Sequence, residues 1–487
     1  MSVDHCDVGV IGSGMGALTA AVLLAKRGMN VKVMEQNYLP GGCTSSYWRK
    51  GFIFEAGATT LVGLDQQMPL KHVLHETGIE IPVRQLELPM QVHLKNGKTL
   101  NRHQDLKAWI AEAERHFGKK GQRPFWEFCF KISEFVWDTS IKQRHFPPTR
   151  LGDLIQAVKR ASLKQAWYAR YALMSMTDLL KKHGLLENQL FVDFVNEQLL
   201  ITAQNHHEEV NVLFGATALC YTNYGNYYVD GGLLNLVNPF VSYIEESGGE
   251  VSLREPVLLV EKQSEHYEIK TKKRTVTCDY LISGIPLNNT IEVYNNGYAD
   301  KAKKNLLYSD RLNSAFQMGI GFKSDRTFDC IHHQIHLDTP LPETGSASIF
   351  VSLSHPEDKS RSDQPGMMVA SVSTHVPDPE KTIVDNEKAE QAVIDKLVEL
   401  EFLKKEDIVY MHSSSPKSWG KWTGRAYGFV GGYPQFMDIK PWQMQDARLD
   451  GHKAYICGDT AYPGQGIPGT ALSGIIAYEK LVSDWLN

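Results

Sequence analysis

The chain has 487 residues, 42 % of them hydrophobic and 22 % charged, with a net charge of −5. That is the composition of a globular protein with room for two or three domains, and it exerts no overall pull toward nucleic acid. No long apolar run predicts a membrane-spanning helix, and the first strand starts too close to Met1 for a signal peptide, so a cytoplasmic protein is expected.

Residues 8–11 read as a β-branched strand that runs into Gly12-Ser13-Gly14-Met15-Gly16-Ala17. An Ala/Leu-rich helical stretch follows, then a second strand over 31–34 that ends at Glu35. Each part has a job in a dinucleotide-binding unit. Gly12 permits the tight turn, and Gly14 presents no Cβ to an approaching pyrophosphate. Ala17, small like Gly16, lets the helix pack closely on the strand. The helix N-terminus offers free N–H groups and a positive dipole end to phosphates. Glu35 can accept hydrogen bonds from the adenosine ribose, and an acid there disfavours a 2′-phosphate. FAD or NAD is therefore expected ahead of NADP.

A glycine loop at 39–46 and a short strand and turn at 51–57 come next. From about 66 to 224 the period becomes helical, with candidate helices at 103–117, 122–139, 150–182 and 187–204 and a break at Pro147-Pro148. Strands and glycines return at 227–232, followed by a helix at 233–247, a strand at 256–261 and a hairpin-like stretch at 266–278. An apolar strand follows at 279–286. Strand-like runs at 314–322, 346–353 and 367–374 precede a helix at 385–401, and the chain closes with a strand at 454–459 and a helix from about 469. These elements predict an α/β fold, α+β in its insertions. A Rossmann-like cofactor domain would be assembled from 1–65, 225–290 and 441–487. A substrate or cap domain, with a helical lobe and a mixed sheet, would comprise 66–224 and 291–440. Interruption in this order is typical of FAD/NAD-linked flavoproteins.

The seven cysteines are scattered with no C-x-x-C, which predicts free thiols and neither a disulfide framework nor a zinc site. His206-His207 and His332-His333 lack the spacing of metal ligands and read as solvated loop residues, so no metal is expected. Ser45-Ser46 does not sit in a nucleophile elbow. Trp419, Trp422, Tyr427, Phe429 and Tyr433 could wall an apolar channel or fill a core. Residues 150–184 carry Arg150, Lys159, Arg160, Lys164, Arg170, Lys181 and Lys182 against Asp153 and Asp178, with apolar residues interspersed. Such a stretch can lie in a membrane interface, or pack on the core with a solvated basic face.

Four stretches carry a family resemblance: the N-terminal unit; Pro40-Gly41-Gly42-Cys43-Thr44-Ser45-Ser46-Tyr47 with Gly51-Phe52-Ile53-Phe54-Glu55-Ala56-Gly57; Asn226-Tyr227-Tyr228-Val229-Asp230-Gly231-Gly232; and the run from Cys457-Gly458-Asp459 to Pro463-Gly464-Gln465-Gly466-Ile467-Pro468-Gly469. Together they resemble the carotenoid isomerase, phytoene desaturase and retinol saturase group of FAD flavoproteins. The look is closest to the carotenoid cis–trans isomerases, since Cys43 stands where the desaturases usually have Arg. The stretch from Ser415 to Gly428 also resembles a tunnel-lining segment of the group.

The resemblance implies an FAD enzyme acting on a long isoprenoid polyene. Gly41, Gly42 and Thr44 would lie along the FAD pyrophosphate and ribityl chain, and Gly458-Asp459 would bond the ribityl or phosphate. Gly466 and Ile467 would point a helix dipole at the flavin pyrimidine edge, and Val257 would pack the adenine. Glu55 matches an acidic position that either serves the site or caps backbone. A polyene offers no acidic proton or carbonyl for a hydrolytic or acid–base triad, so the flavin itself would act; the resemblance puts cis–trans isomerisation first and desaturation or saturation second. No catalytic acid or base is identified. A flavin amine oxidase, a more distant alternative, would need an aromatic cage and a lysine near the flavin, with Lys417 and Lys421 available. A flavin-bound lipid carrier is the non-enzymatic alternative.

Overall fold

The computed structural model describes residues 4–160, 167–294 and 299–486. Strand Asp4–Ile11 lies at the centre of the first sheet, parallel to Val31–Met34 on one side and to Thr275–Ser283 on the other. Glu250–Ser252 and Ala454–Ile456 extend the parallel set outward. The hairpin of Val257–Lys262 and Tyr267–Thr271 adds antiparallel strands beside Thr275–Ser283. Parallel strands covered on both faces read as continuous apolar runs, as Val8, Val10, Val31, Val33, Leu281 and Ile282 do here.

Helix Met15–Lys26 is buried almost throughout and shares one apolar cluster with helices Leu234–Glu246 and Ile467–Trp485. Close approach sets its composition. A Cβ on Gly16 would lie 2.9 Å from Gly458 N and 3.1 Å from Thr470 O, and one on Gly284 would lie 2.3 Å from Ala17 Cβ.

The second sheet has seven strands in the order Ile408–Ser414, Asn313–Lys323, Met367–Pro377, Ser348–Leu353, His332–His336, Met90–His93, Thr99–Arg102. All its pairings are antiparallel except that of His332–His336 with Met90–His93. Hairpin Ser46–Arg49/Phe52–Glu55 lies on this sheet, because Gly319 and Gly321 leave room for its rings. A Cβ at those positions would come within 2.7 Å of Phe54 and 2.6 Å of Phe52. A helical lobe of Leu106–Phe117, Gln122–Lys142, Met176–Lys182, Gln189–Ala203 and Val212–Leu219 closes around Trp109, Trp126, Phe191 and Phe194.

Three expectations are corrected. The stretch from 66 to 224 is not helical throughout: Met90–His93 and Thr99–Arg102 form a hairpin, two strands too short for their period of two to stand out among helices. The single helix expected over 150–182 does not run through: a 3₁₀ turn at Arg170–Leu173 interrupts it, and a separate helix, Met176–Lys182, follows. Ser175 starts the last of these with a reciprocal capping box to Asp178. Residues 161–166, Lys164 among them, and the side chain of Arg160 lie outside what the structure describes.

The paired histidines are not all solvated loop residues. His332 and His333 are 1 % and 2 % exposed in a strand of the second sheet. His332 Nδ1 bonds Ser352 Oγ at 2.7 Å, and His333 Nε2 lies 2.9 Å from Cys330 O. Burial lowers both pKa values to about 3, so both rings are neutral. His207 is buried against Thr177, and His206 is exposed.

Gly16→Ala should force backbone apart where the first and last helices meet, and cost about 1–3 kcal/mol. A lowered melting temperature in thermal unfolding is the expected result.

Candidate functional site

A cavity of about 760 Å³ lies between the two sheets. Its inner wall is made by Cys43, Thr44 and residues 57–60 on one side and by residues 465–470 on the other, with the second sheet opposite at Ala315, Gln317 and residues 373–375. Its outer walls come from the helical lobe, including Phe135, Phe146, Ile201, Leu213 and Phe214, and from Trp442.

The glycine corner leads into this space. Gly12 turns at φ 83°, and Gly41 at φ 99° pairs with Gly14 as an isolated bridge. Gly41 N donates to Ser13 O at 3.0 Å and Thr44 N donates to Gly41 O at 3.0 Å, which locks the two loops together. Gly14 remains open, since the nearest atom to a Cβ there would be Gly284 O at 3.8 Å. Gly42, at φ 58°, lies next to it. This open backbone beside the N-terminus of Met15–Lys26 is the geometry an anionic diphosphate requires.

Glu35 is buried at the end of its strand. Its Oε2 accepts from Ser13 N (2.9 Å) and Ser13 Oγ (2.7 Å), and its Oε1 accepts from Asn37 N (2.8 Å). Each carboxylate oxygen has further lone pairs, so Glu35 can hold the glycine turn and a ribose hydroxyl together. Val257 opens the neighbouring hairpin and packs on the cluster containing Ile11 and Met34.

Gly458, at φ 109°, and Asp459 follow the last parallel strand. Asp459 lines the cavity, and its Oδ2 accepts from Arg425 Nη2 at 2.5 Å. Burial opposes the Arg425 charge, but Asp459, with Cys43 beside it, outweighs burial and holds that pKa above its usual value. Arg425 Nη1 is buried without a partner, as is Ser45 Oγ. Open glycines, an exposed helix end and an orphaned guanidinium nitrogen suit a bound dinucleotide. Arg425 falls in the stretch read as resembling a tunnel-lining segment, but it does not line the cavity itself, and its pairing with Asp459, 34 residues away, carries no local sequence signal.

Gly466, at φ 80°, precedes Ile467, the first residue of the last helix, and both line the cavity. The first N–H groups of a helix have no intrahelical acceptor, so this end presents donors and a positive dipole to the space.

Glu55 is a backbone-capping carboxylate in an ion pair. It accepts from Leu233 N at 3.1 Å and from Arg361 Nη1 at 2.7 Å, and so fixes the start of helix Leu234–Glu246. Burial lifts its pKa against the pull of Arg361. Within the aromatic group, Trp419 lines the cavity with Trp422 packed on it, whereas Phe429 and Tyr433 belong to the core beneath the first sheet. Lys417 and Lys421 are exposed and do not line the cavity.

Among the described residues Asp459 is the one Asp, Glu, Lys or Arg in the lining, and it is paired. All seven cysteines are free, and no three His, Cys, Asp or Glu side chains converge as a metal would need among the described residues. Among the same residues no helix is long and apolar enough to cross a membrane.

Comparison with known proteins agrees with this geometry. The profile of the flavin containing amine oxidoreductases matches residues 18–480. A prolycopene isomerase of Daucus carota is 23 % identical over 98 % of this chain and 80 % of its own. An all-trans-retinol 13,14-reductase of Danio rerio is 27 % identical over 52 % of this chain and 42 % of its own. Cyclohexylamine oxidase from Brevibacterium oxydans has the same fold, with a TM-score of 0.62 at 14 % identity over 99 % of this chain and 100 % of its own. The chain therefore belongs to the flavin containing amine oxidoreductase family and is an FAD-dependent enzyme of oxidoreductase type, related in sequence to the carotenoid isomerase and retinol saturase group.

Proposed function

We propose that this enzyme acts on a long isoprenoid polyene, with cis–trans isomerisation as its reaction. The supporting observation is the cavity: largely apolar, and with its one carboxylate neutralised by Arg425. An amine substrate would enter as a cation and find no free anion there, and neither Lys417 nor Lys421 reaches the lining. Saturation or desaturation is the second reading, favoured by the retinol reductase relative.

In this reading, residues 1–65, 225–290 and 441–487 form the cofactor domain. Gly12 and Gly14 hold the diphosphate against the first helix, Gly16 and Ala17 let that helix pack closely enough to reach it, and Glu35 bonds the ribose near Val257. Gly41, Gly42, Thr44, Gly458 and Asp459 follow the ribityl chain, and the helix end at Gly466 and Ile467 faces the flavin. Bound FAD supplies reversible transfer of electrons, hydride or proton to a conjugated chain. The rest of the chain, 66–224 and 291–440, aligns the polyene and keeps water out through Phe135, Phe214 and Trp419.

A water-insoluble substrate has to be collected from lipid. Leu151, Leu154 and Ile155 share one face of their helix and are 73 %, 48 % and 46 % exposed, while Ala157 of the same helix lines the cavity. Arg150 is held by Asp484 and Gly451 O, while Lys159, Lys181 and Lys182 are exposed, so an apolar face and nearby cations would both meet a membrane interface.

Three outcomes test this reading. Heat release and HPLC should yield FAD, and Glu35→Arg should weaken FAD by about 1–3 kcal/mol in a binding titration. Anaerobic incubation with poly-cis carotenoids and chemically reduced flavin should give a cis-to-trans shift at constant product mass. Loss of two hydrogens with oxidised flavin would move the assignment to a desaturase, and gain of two with reduced flavin to a saturase. The protein should float with anionic liposomes, and Leu154→Asp with Ile155→Asp should abolish flotation more completely than added salt does.

A further inference from the structure

The outer cavity is largely apolar, with Ser140, Gln143 and Thr217 among its fewer polar side chains, and its floor on the second sheet is the more polar part. Asn313–Lys323 and Met367–Pro377 pair with Ala315 opposite His375 and Gln317 opposite Ser373. The two-residue period therefore places Gln317, Ser373 and His375 on one face, and all three line the cavity. Gln204 and Gln465 stand beside this floor. Gln204 follows helix Gln189–Ala203 at φ 57°, a conformation that non-glycine residues adopt seldom. The two amides converge on Gly431, where a Cβ would lie 2.7 Å from both Gln204 Nε2 and Gln465 Oε1.

These groups are under-used. Gln204 Nε2 donates to Leu200 O at 2.8 Å and lies 3.3 Å from His375 Nε2, while its Oε1 is buried without a partner. Neither amide atom of Gln465 has a partner. Unpaired buried amides are costly, and a cavity meant for a bare hydrocarbon would do better without them. The floor is also uncharged, since Asp459 is paired and burial lowers the His375 pKa to about 4.

We propose that this floor recognises an uncharged oxygen function, a hydroxyl or carbonyl, at one end of the polyene, with Gln204 and Gln465 as its hydrogen-bonding partners. The proposal rests on the polyene reading and narrows it: the substrate is an oxygenated isoprenoid held by its polar end while its apolar body lies along the helical lobe. A site that pairs with an oxygen discriminates strongly against the analogue that lacks it.

The test is a binding titration on the FAD-loaded enzyme, read as perturbation of the flavin spectrum without turnover. Its probes are a conjugated polyene alcohol, the matching aldehyde and the matching hydrocarbon, each presented in the same detergent. The alcohol or aldehyde should bind at least about tenfold tighter than the hydrocarbon. Gln465→Met and Gln204→Met, each with FAD content intact, should bring that ratio toward one with little change in hydrocarbon affinity. Equal affinities in the unaltered enzyme would overturn this proposal and leave the polyene reading standing. Silence toward all three probes, with a response to an amine, would overturn both. A Gln465→Met enzyme that loses FAD affinity and keeps its selectivity would assign Gln465 to the cofactor and overturn its role here.

Discussion

Everything in this structure depends on backbone approaching backbone where three distant pieces of chain meet. The loop after the first strand, the loop at Gly41 and Gly42, and the turn at Gly458 converge within a few ångströms, and a single Cβ at Gly16, Gly284 or Gly41 would occupy space already filled. Glycine lets the discontinuous pieces close on one another, and the closure leaves Gly14 facing open space. The same constraint therefore builds the sheet, positions two helix N-termini and leaves open backbone beside one of them, the setting in which helix N-termini bind anions.

Charge is handled differently on the two sides of the cavity. Near the glycine corner, charged groups are buried in pairs, with Asp459 on Arg425 and Glu55 on Arg361. Asp459–Arg425 ties the turn after Ala454–Ile456 to the stretch after Ile408–Ser414, and Glu55–Arg361 ties the hairpin to the loop between Ser348–Leu353 and Met367–Pro377. Removing one partner of such a pair leaves an uncompensated buried charge, which is far costlier than losing an exposed ion pair. Deeper in the cavity the polar side chains are neutral amides, hydroxyls and an imidazole. This division leaves no unpaired carboxylate or cation among the described lining residues, which disfavours an ionic ligand.

The cofactor half of the molecule was legible because its chemistry is local. Gly12 to Glu35 is a contiguous strand, turn, helix and strand, and each glycine has its reason within a few residues. The elements of the second sheet were harder to read. Met90–His93 and Thr99–Arg102 are four residues each; the first joins a strand more than two hundred residues away, and the second reaches the sheet only through it. Periodicity within a window carries no trace of such a partner. His332 and His333 were misjudged for a related reason. Adjacent histidines look like a solvated loop, and only the neighbouring strands supply the Ser352 hydroxyl and the cover that keep them neutral in the interior. The helix break before Ser175 was available in the sequence, since Ser175-x-x-Asp178 is a start signal, but a strong amphipathic pattern on both sides masked it.

The lining of the cavity floor is the least legible part of the site, and its arrangement explains why. In Met367–Pro377 the residues Ser371, Ser373 and His375 alternate with Val372, Thr374 and Val376, an ordinary half-polar strand by itself. Its significance appears only when Gln317 comes alongside from one strand, Gln204 from a helix end and Gln465 from the last loop. Four segments separated by up to 261 residues, from Gln204 to Gln465, thus meet at one end of one cavity. A motif can encode how a chain grips a cofactor it shares with many relatives. Side chains such as Gln204, Gln317 and Gln465 stand on separate segments and are brought together only by the fold, so no local pattern announces them.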